Sequence, residues 1–249
     1  MNDATTASPR SRGLAIVGGI LAFIVLIGLG TWQMQRLHWK EALLATIAER
    51  MAAAPVSVAE IEQKVLADTL PDVDYYAVTA TGLFRHESER HFFATWKGET
   101  GFYVYTPLQL ADGRFVFVNR GFVPYELKDQ AKRLQGQLAA GPVAITGLSR
   151  NVLTEKPSFV VPDNDPVKNI FYWKDIRAMT ASAGLPADAV VLPFFIDADA
   201  TPNPGGLPVG GVTMVDLPNN HLQYALTWYG LAAALVVILG LWLRRTQQG

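Results

Sequence analysis

The residues best placed to do chemistry begin with one imidazole. His221 lies in the stretch Pro218-Asn-Asn-His-Leu-Gln-Tyr-Ala-Leu-Thr-Trp-Tyr229, which runs into an apolar span ending at Leu243. From Tyr224 to Leu243 no side chain is charged, and ~20 such residues is the length a helix needs to cross a bilayer core. Asparagine accepts the orphan N–H bonds of a helix start, so the helix is expected to open near Asn220. His221 then sits at the membrane entry with Tyr224 and Trp228 one and two turns on, along one face. A neutral imidazole is a common metal ligand and a proximal ligand for haem iron. A lone interfacial histidine is more commonly a hydrogen-bonded structural residue, because polar groups at membrane depth find partners. Spacing leaves both readings open.

Two other groups have the right residue types. Arg85-His86-Glu87-Ser88-Glu89-Arg90-His91 holds two imidazoles and two carboxylates, donors suited to copper or zinc. Its spacing matches no metal motif and it falls between two strands, so a solvated turn is expected. Arg120 ends an apolar strand, where a guanidinium could clamp a carboxylate or propionate bidentately. A structural pair with an acidic neighbour is the favoured alternative. Arg36, just beyond the first apolar run, faces a similar choice between headgroup anchoring and anion binding.

The elements that position these residues follow from composition. Half of the 249 residues are apolar and 17% are charged, a low charged share that points to a membrane protein. A net charge of −1 with no Lys/Arg-rich run makes nucleic acid a poor partner. The absence of cysteine excludes disulfides, thiolate zinc sites, iron–sulfur clusters, covalent haem attachment and Cys nucleophiles. No G-x-S-x-G elbow, P-loop, H-E-x-x-H or dinucleotide fingerprint occurs.

Gly13 to Met34 forms a second uncharged run. It exceeds the ~7–15 residues of a signal-peptide core, so a retained anchor is favoured over a leader cleaved before Thr31. The expected organisation is an N-terminus of residues 1–12, a membrane helix 13–34, an outer domain 35–221, a second membrane helix 222–243 and a C-terminal tail 244–249. Arg10 and Arg12 precede the first span and Arg244 and Arg245 follow the second, which predicts both termini in the cytoplasm. The outer segment carries 17 Lys and Arg against 21 Asp and Glu, a net charge of −4. Trp32, Trp39, Trp228 and Tyr229 mark the outer interface and Trp242 the inner one. Ala15/Gly19 and Gly230/Ala234 could let the two helices approach closely.

Within the outer segment, Arg36–Ala53 keeps a helical period, and Ser57-Val-Ala-Glu60 reads as a capping box for a short helix. Strand patterns fall at Tyr75–Phe84, His91–Lys97, Phe102–Leu110, Arg114–Asn119, Val143–Leu148, Val190–Ile196 and Val209–Leu217. Asp112-Gly113 is a hairpin turn, and helices are expected at Glu126–Leu138 and Trp173–Ala183. The fold expected is two transmembrane helices flanking an α+β domain with a mainly antiparallel, barrel-like sheet.

Three blocks carry a resemblance: Gly30-Thr-Trp-Gln-Met-Gln-Arg36-Leu-His-Trp39-Lys40, Phe117-Val-Asn-Arg-Gly-Phe-Val-Pro124, and Pro218 through Tyr229. In this order they resemble the Surfeit locus protein one family, assembly factors of haem-copper cytochrome c oxidase. Asn164-Asp-Pro166 and Phe171-Tyr-Trp-Lys-Asp175 are similar to further family pieces, and Phe122 departs from a common tryptophan. The resemblance implies a membrane factor that helps haem a reach the oxidase catalytic subunit, with a haem a synthase as donor and no catalysis of its own. It implies His221 as axial ligand to the haem iron. On that reading haem a is held between the two spans, Tyr224 and Trp228 pack beside it, and Arg36 or Arg120 faces its propionates. His38 is a weaker candidate for a second ligand. A structural chaperone that binds no haem, or a membrane-anchored enzyme, are the competing expectations. Twelve residues before the first span are short for a transit peptide, so a bacterial cytoplasmic membrane with the main domain in the periplasm is expected.

Overall fold

A backbone in lipid must satisfy its N–H and C=O groups internally, which for a single uncharged run means a helix. The computed structural model describes residues 9–70, 72–137, 141–213 and 218–247, and both runs are helical. Helix α1 covers Pro9–Ala52 and helix α4 covers His221–Gln247. Both are long and apolar enough to cross a membrane. At 1.5 Å per residue α1 is about 66 Å long, more than twice the ~30 Å of a bilayer core. The span and the amphipathic stretch after it are thus one helix. Met1–Thr46 with Asp216–Gly249 form one compact unit, and Ile47–Val215 form a second.

In the first unit the helices pack antiparallel. Gly19 faces Leu239 and Gly30 faces Tyr229, and a Cβ at Gly30 would lie 2.5 Å from the Tyr229 ring. Ala225 and Ala232, seven residues apart on one face of α4, are buried. Of the four small residues expected at this contact, only Gly19 takes part. Ala15, Gly230 and Ala234 are exposed. Small residues four apart mark a face without saying which face meets the partner. Seating the Tyr229 ring on Gly30 turns Gly230, ~100° further round the helix, away.

The second unit is a sheet closed on itself. Its strands are β1 (Val56–Ser57), β2 (Ala77–Phe84), β3 (Arg90–Trp96), β4 (Glu99–Leu110), β5 (Phe115–Pro124), β6 (Val143–Asn151) and β7 (Val191–Ala198). They run in the order β1-β2-β6-β7-β5-β4-β3, and a further β2–β4 pairing closes five of them into a barrel. The β5–β7 pair is parallel and the other barrel pairs are antiparallel. Val116 and Val118 of β5 face the interior with Val78, Ala80, Leu108, Phe194 and Ile196. Phe117 faces the other way, onto Tyr105, Phe195, Phe171 and Met179. Burial on both faces explains why β5 reads as a continuous apolar run. Helix α2 (Val58–Leu66) sends Val58 and Ile61 into the interior cluster. Its cap is half of the expected box. Ser57 Oγ accepts from Glu60 N at 3.2 Å, whereas the Glu60 carboxylate turns to Lys64.

Local expectations shift in three places. The expected helix from Glu126 is two 3₁₀ segments, Tyr125–Leu127 and Gln130–Gln137, the second broken at Arg133 (φ −140°, ψ 33°); Leu138 lies outside the described residues. Arg133 leaves helical geometry where its guanidinium turns inward to Glu89. Helix α3 (Ile176–Ser182) starts later than Trp173, because Asp175 accepts from Ala178 N at 3.0 Å and caps it. Of the strand expected at Val209–Leu217, Val209 pairs with Phe122, and residues 214–217 lie outside the described ones. The Asp112-Gly113 hairpin forms where expected, with Gly113 at φ +86°.

Closure passes through Gly82, which pairs with Leu110 of β4 and Val143 of β6. A side chain there would collide with the Gln109 carbonyl. Gly82→Val is expected to destabilise the domain by ~1–3 kcal/mol, with Thr81→Val on the exposed side near neutral. Thermal unfolding of the full chain in detergent, followed by circular dichroism, checks this.

Candidate functional site

His221 is the first residue of α4. Tyr224 N donates to Asn220 O at 3.2 Å, so the helix ladder begins at Asn220. The imidazole is half-buried and its Nδ1 lies 2.7 Å from Gln33 Oε1 on α1. About two turns further along α4, the Tyr229 hydroxyl is 3.3 Å from that of Thr31. With Gln33 Oε1 as the acceptor the proton is on Nδ1, and in the neutral ring the lone pair is then on Nε2, the arrangement a metal ligand needs. Trp228 is half-buried, whereas Tyr224 is 54% exposed. Arg36 is exposed, one turn beyond Gln33, with its guanidinium 4.3 Å over the Trp39 ring. His38 is also exposed.

Sequence reasoning missed Gln33. The signal was present: it is the first amide in a run that contains none from Gly13 to Trp32. An amide at that depth needs a partner as much as the imidazole does.

Arg120 belongs to the barrel unit. It continues the interior row of β5 after Val116 and Val118, since alternate residues share a face, and it is 3% exposed. Its Nη1 lies 3.0 Å from His86 Nδ1, its Nη2 donates to Asn203 Oδ1 at 3.1 Å, and it lies over Phe84. Asn203 in turn donates to Arg120 O and Pro208 O. Burial pushes Arg120 down to about 10. Burial, and then the Arg120 charge, push His86 down to about 4. The imidazole is therefore neutral and accepts from the guanidinium. With Phe84, Val143, Ile145 and Ala198, these groups line the barrel mouth, a cavity of about 240 Å³.

The neighbouring glycine is structural. Gly121 (φ +127°) lets the Val209–Gly210 backbone approach where any Cβ would collide, and Asn119 Oδ1 accepts from Gly121 N at 3.1 Å. Phe122 fills an aromatic position against Trp96 and Tyr103. Asn164 Oδ1 accepts from Tyr172 N at 2.7 Å and Trp173 N at 3.2 Å, tying two motif pieces together.

Only the first part of the 85–91 stretch is the solvated turn expected of it, with Arg85 and Glu87 exposed about the 3₁₀ turn His86–Ser88. Ser88, Glu89, Arg90 and His91 are buried. Arg133 donates to both Glu89 oxygens, at 3.1 Å to Oε2 and in a shorter bond to Oε1. His91 Nε2 lies 3.0 Å from Glu89 Oε1. Burial would raise Glu89, but hydrogen bonds from His91 and Arg133 hold it below the usual carboxylate range. Burial lowers His91 despite Glu89's pull the other way. Among the described residues no three His, Asp or Glu side chains converge as a metal site. The cluster is an internal ion pair. Its cation lies 44 residues beyond Glu89, which is why the local stretch looked like a turn.

Two apolar helices bracketing a five-stranded barrel, with a half-buried histidine at the head of the second helix, define a membrane-anchored protein with one extramembrane barrel domain. Its relatives are specific. The chain belongs to the SURF1 family, whose family model matches residues 20–233. It is 35% identical to Surfeit locus protein 1 of Rattus norvegicus over 262 residues, covering 98% of this chain and 80% of the rat protein. It is likewise 35% identical to a SURF1-like protein of Monosiga brevicollis, over 99% of this chain and 94% of that one. Against Surfeit locus protein 1 of Homo sapiens the identity is 34%, over 92% of this chain and 77% of the human protein.

Removing the anion from the internal pair leaves Arg133 buried and uncompensated, so Glu89→Ala is expected to cost ~3–5 kcal/mol in denaturant unfolding. His86 adds a pH dependence. Its folded pKa is about 4 against an ordinary 6.5, so the unfolded chain binds the proton first. The stability it contributes is complete above pH 6.5 and is lost as pH falls toward 4. Melting temperatures of wild type and His86→Gln between pH 7 and 4 check this; the variant should show a shallower decline.

Proposed function

We propose that this chain is an assembly factor for haem-copper cytochrome c oxidase that carries haem a as cargo, with His221 as axial ligand to the iron. The observation that carries the reading is the Gln33–His221 hydrogen bond, which turns Nε2 outward at the membrane edge of α4. Family membership supports the assembly role, and no catalytic step is assigned to the chain.

Helix contact at the level of His221 changes the expected seat of the cargo. Gly30 meets Tyr229 and Gln33 meets His221, so a macrocycle lies beside the helix pair rather than between the helices. The flank bearing Tyr224 and Trp228 supplies the apolar and aromatic wall. Arg120 is committed to His86 and Asn203 in the barrel mouth. The propionates therefore fall to Arg36, a solvent-facing cation one turn from Gln33. A single axial bond suits a carrier that must release what it holds.

Antiparallel helices put both termini on one side of the bilayer, and Arg10, Arg12, Arg244 and Arg245 assign that side to the cytoplasm. The barrel domain then faces the periplasm of a bacterial cytoplasmic membrane, where it meets the oxidase catalytic subunit and a haem a synthase.

Protein purified in detergent from cells making haem a is expected to show its absorption bands, and His221→Ala to lose them along with most oxidase activity. Stoichiometric haem a and full activity in His221→Ala overturn the carrier reading. Wild-type protein that co-purifies with the oxidase subunit but holds no haem would make it a structural chaperone.

A further inference from the structure

We propose that Gln33 is the positioning residue for His221, holding the imidazole as the Nδ1–H tautomer so that Nε2 is the ligating atom. This rests on the reading of His221 as a haem ligand, and it assigns a role to a residue outside the candidate set read from the sequence. The two side chains come from positions 188 residues apart and meet at 2.7 Å. In a neutral imidazole one nitrogen carries the proton and the other the lone pair, and the partner of one decides the state of both. With a carbonyl oxygen at Nδ1, the neutral ring places its proton there.

The neighbouring contacts are what make the meeting reproducible. Gly30 seats the Tyr229 ring, with no room for a Cβ. Thr31 and Tyr229 join hydroxyls at 3.3 Å. Together they fix the rotation of α4 about two turns below His221, and the imidazole arrives at Gln33 rather than in lipid. The identity of the partner also matters. A carboxylate at Nδ1 would draw the proton more strongly and make Nε2 a more basic, tighter ligand. A neutral amide orients the ring while leaving the iron bond moderate. That is the compromise required of a ligand whose cargo is handed on.

A purely structural role for the pair predicts that any loss of the amide simply loosens the helices. Positioning predicts opposite effects from Gln33→Leu and Gln33→Glu. In haem-free full-length protein, labelled with ¹⁵N-histidine in nanodiscs, wild type should show one Nδ1–H tautomer at His221 and Gln33→Leu a mixture. In haem-loaded protein, the iron–histidine stretch in resonance Raman spectra should fall in Gln33→Leu and rise in Gln33→Glu. Haem a should dissociate from Gln33→Leu on the order of 10-fold faster or more, the range for lost outer-shell partners of metal ligands, and more slowly from Gln33→Glu. An unchanged tautomer in Gln33→Leu, or stretches that shift the same way in both variants, overturns the proposal. The two variants back each other up, since a folding defect in one leaves the other to decide. Haem absent from wild type sinks the carrier reading instead, while the tautomer spectrum still decides whether Gln33 orients the ring.

Discussion

A polar side chain at the edge of a lipid-facing helix pair must find a partner, and in this protein the partner is on the other helix. The Gln33–His221 hydrogen bond joins the N-terminal anchor to the C-terminal one at the depth where apolar sequence gives way to polar. Below it the contact is close packing, Tyr229 on Gly30 and Leu239 on Gly19. Bilayer helices have no hydrophobic drive to associate, so shape and hydrogen bonds decide which faces meet. The candidate ligand and the packing that presents it are therefore one structural problem, solved by the same few residues of α1.

The barrel unit shows a different economy. Its interior is an ordinary apolar core, closed at Gly82, yet it buries Arg90, Arg120 and Arg133 at its margins. Arg133 is matched by a carboxylate, Glu89, held ionised by two donors. Arg120 is held against a histidine kept neutral by burial and by the guanidinium itself. Buried ionic groups add little net stability against well-packed apolar ones, but breaking one partner is costly. Their effect here is to tie the 3₁₀ segment Gln130–Gln137 and the loop at Asn203 to particular places on the sheet.

Much of this was legible before the structure. Uncharged runs of bilayer length, the Asn-Asn before His221, the Ser57 cap and the Asp112-Gly113 turn are local signals, and each marks its element within a few residues. Strand β5 was legible too, as a run of β-branched and aromatic residues. The errors share a cause. Glu126–Leu138 read as helix because its period is local, while the inward pull of Glu89 on Arg133 is not. Arg85–His91 read as a solvated turn because the cation that buries it lies far along the chain.

The sequence alone determined which segments form long apolar helices, which form strands, and that His221 stands at the head of the second helix, because hydropathy, capping and turn chemistry act between near neighbours. Only the tertiary structure decided how α4 is rotated against α1, where the sheet closes, and which side chain meets the imidazole. Those outcomes depend on pairings across tens to hundreds of residues. At that range a one-residue turn of a helix changes the partner and leaves the local pattern untouched.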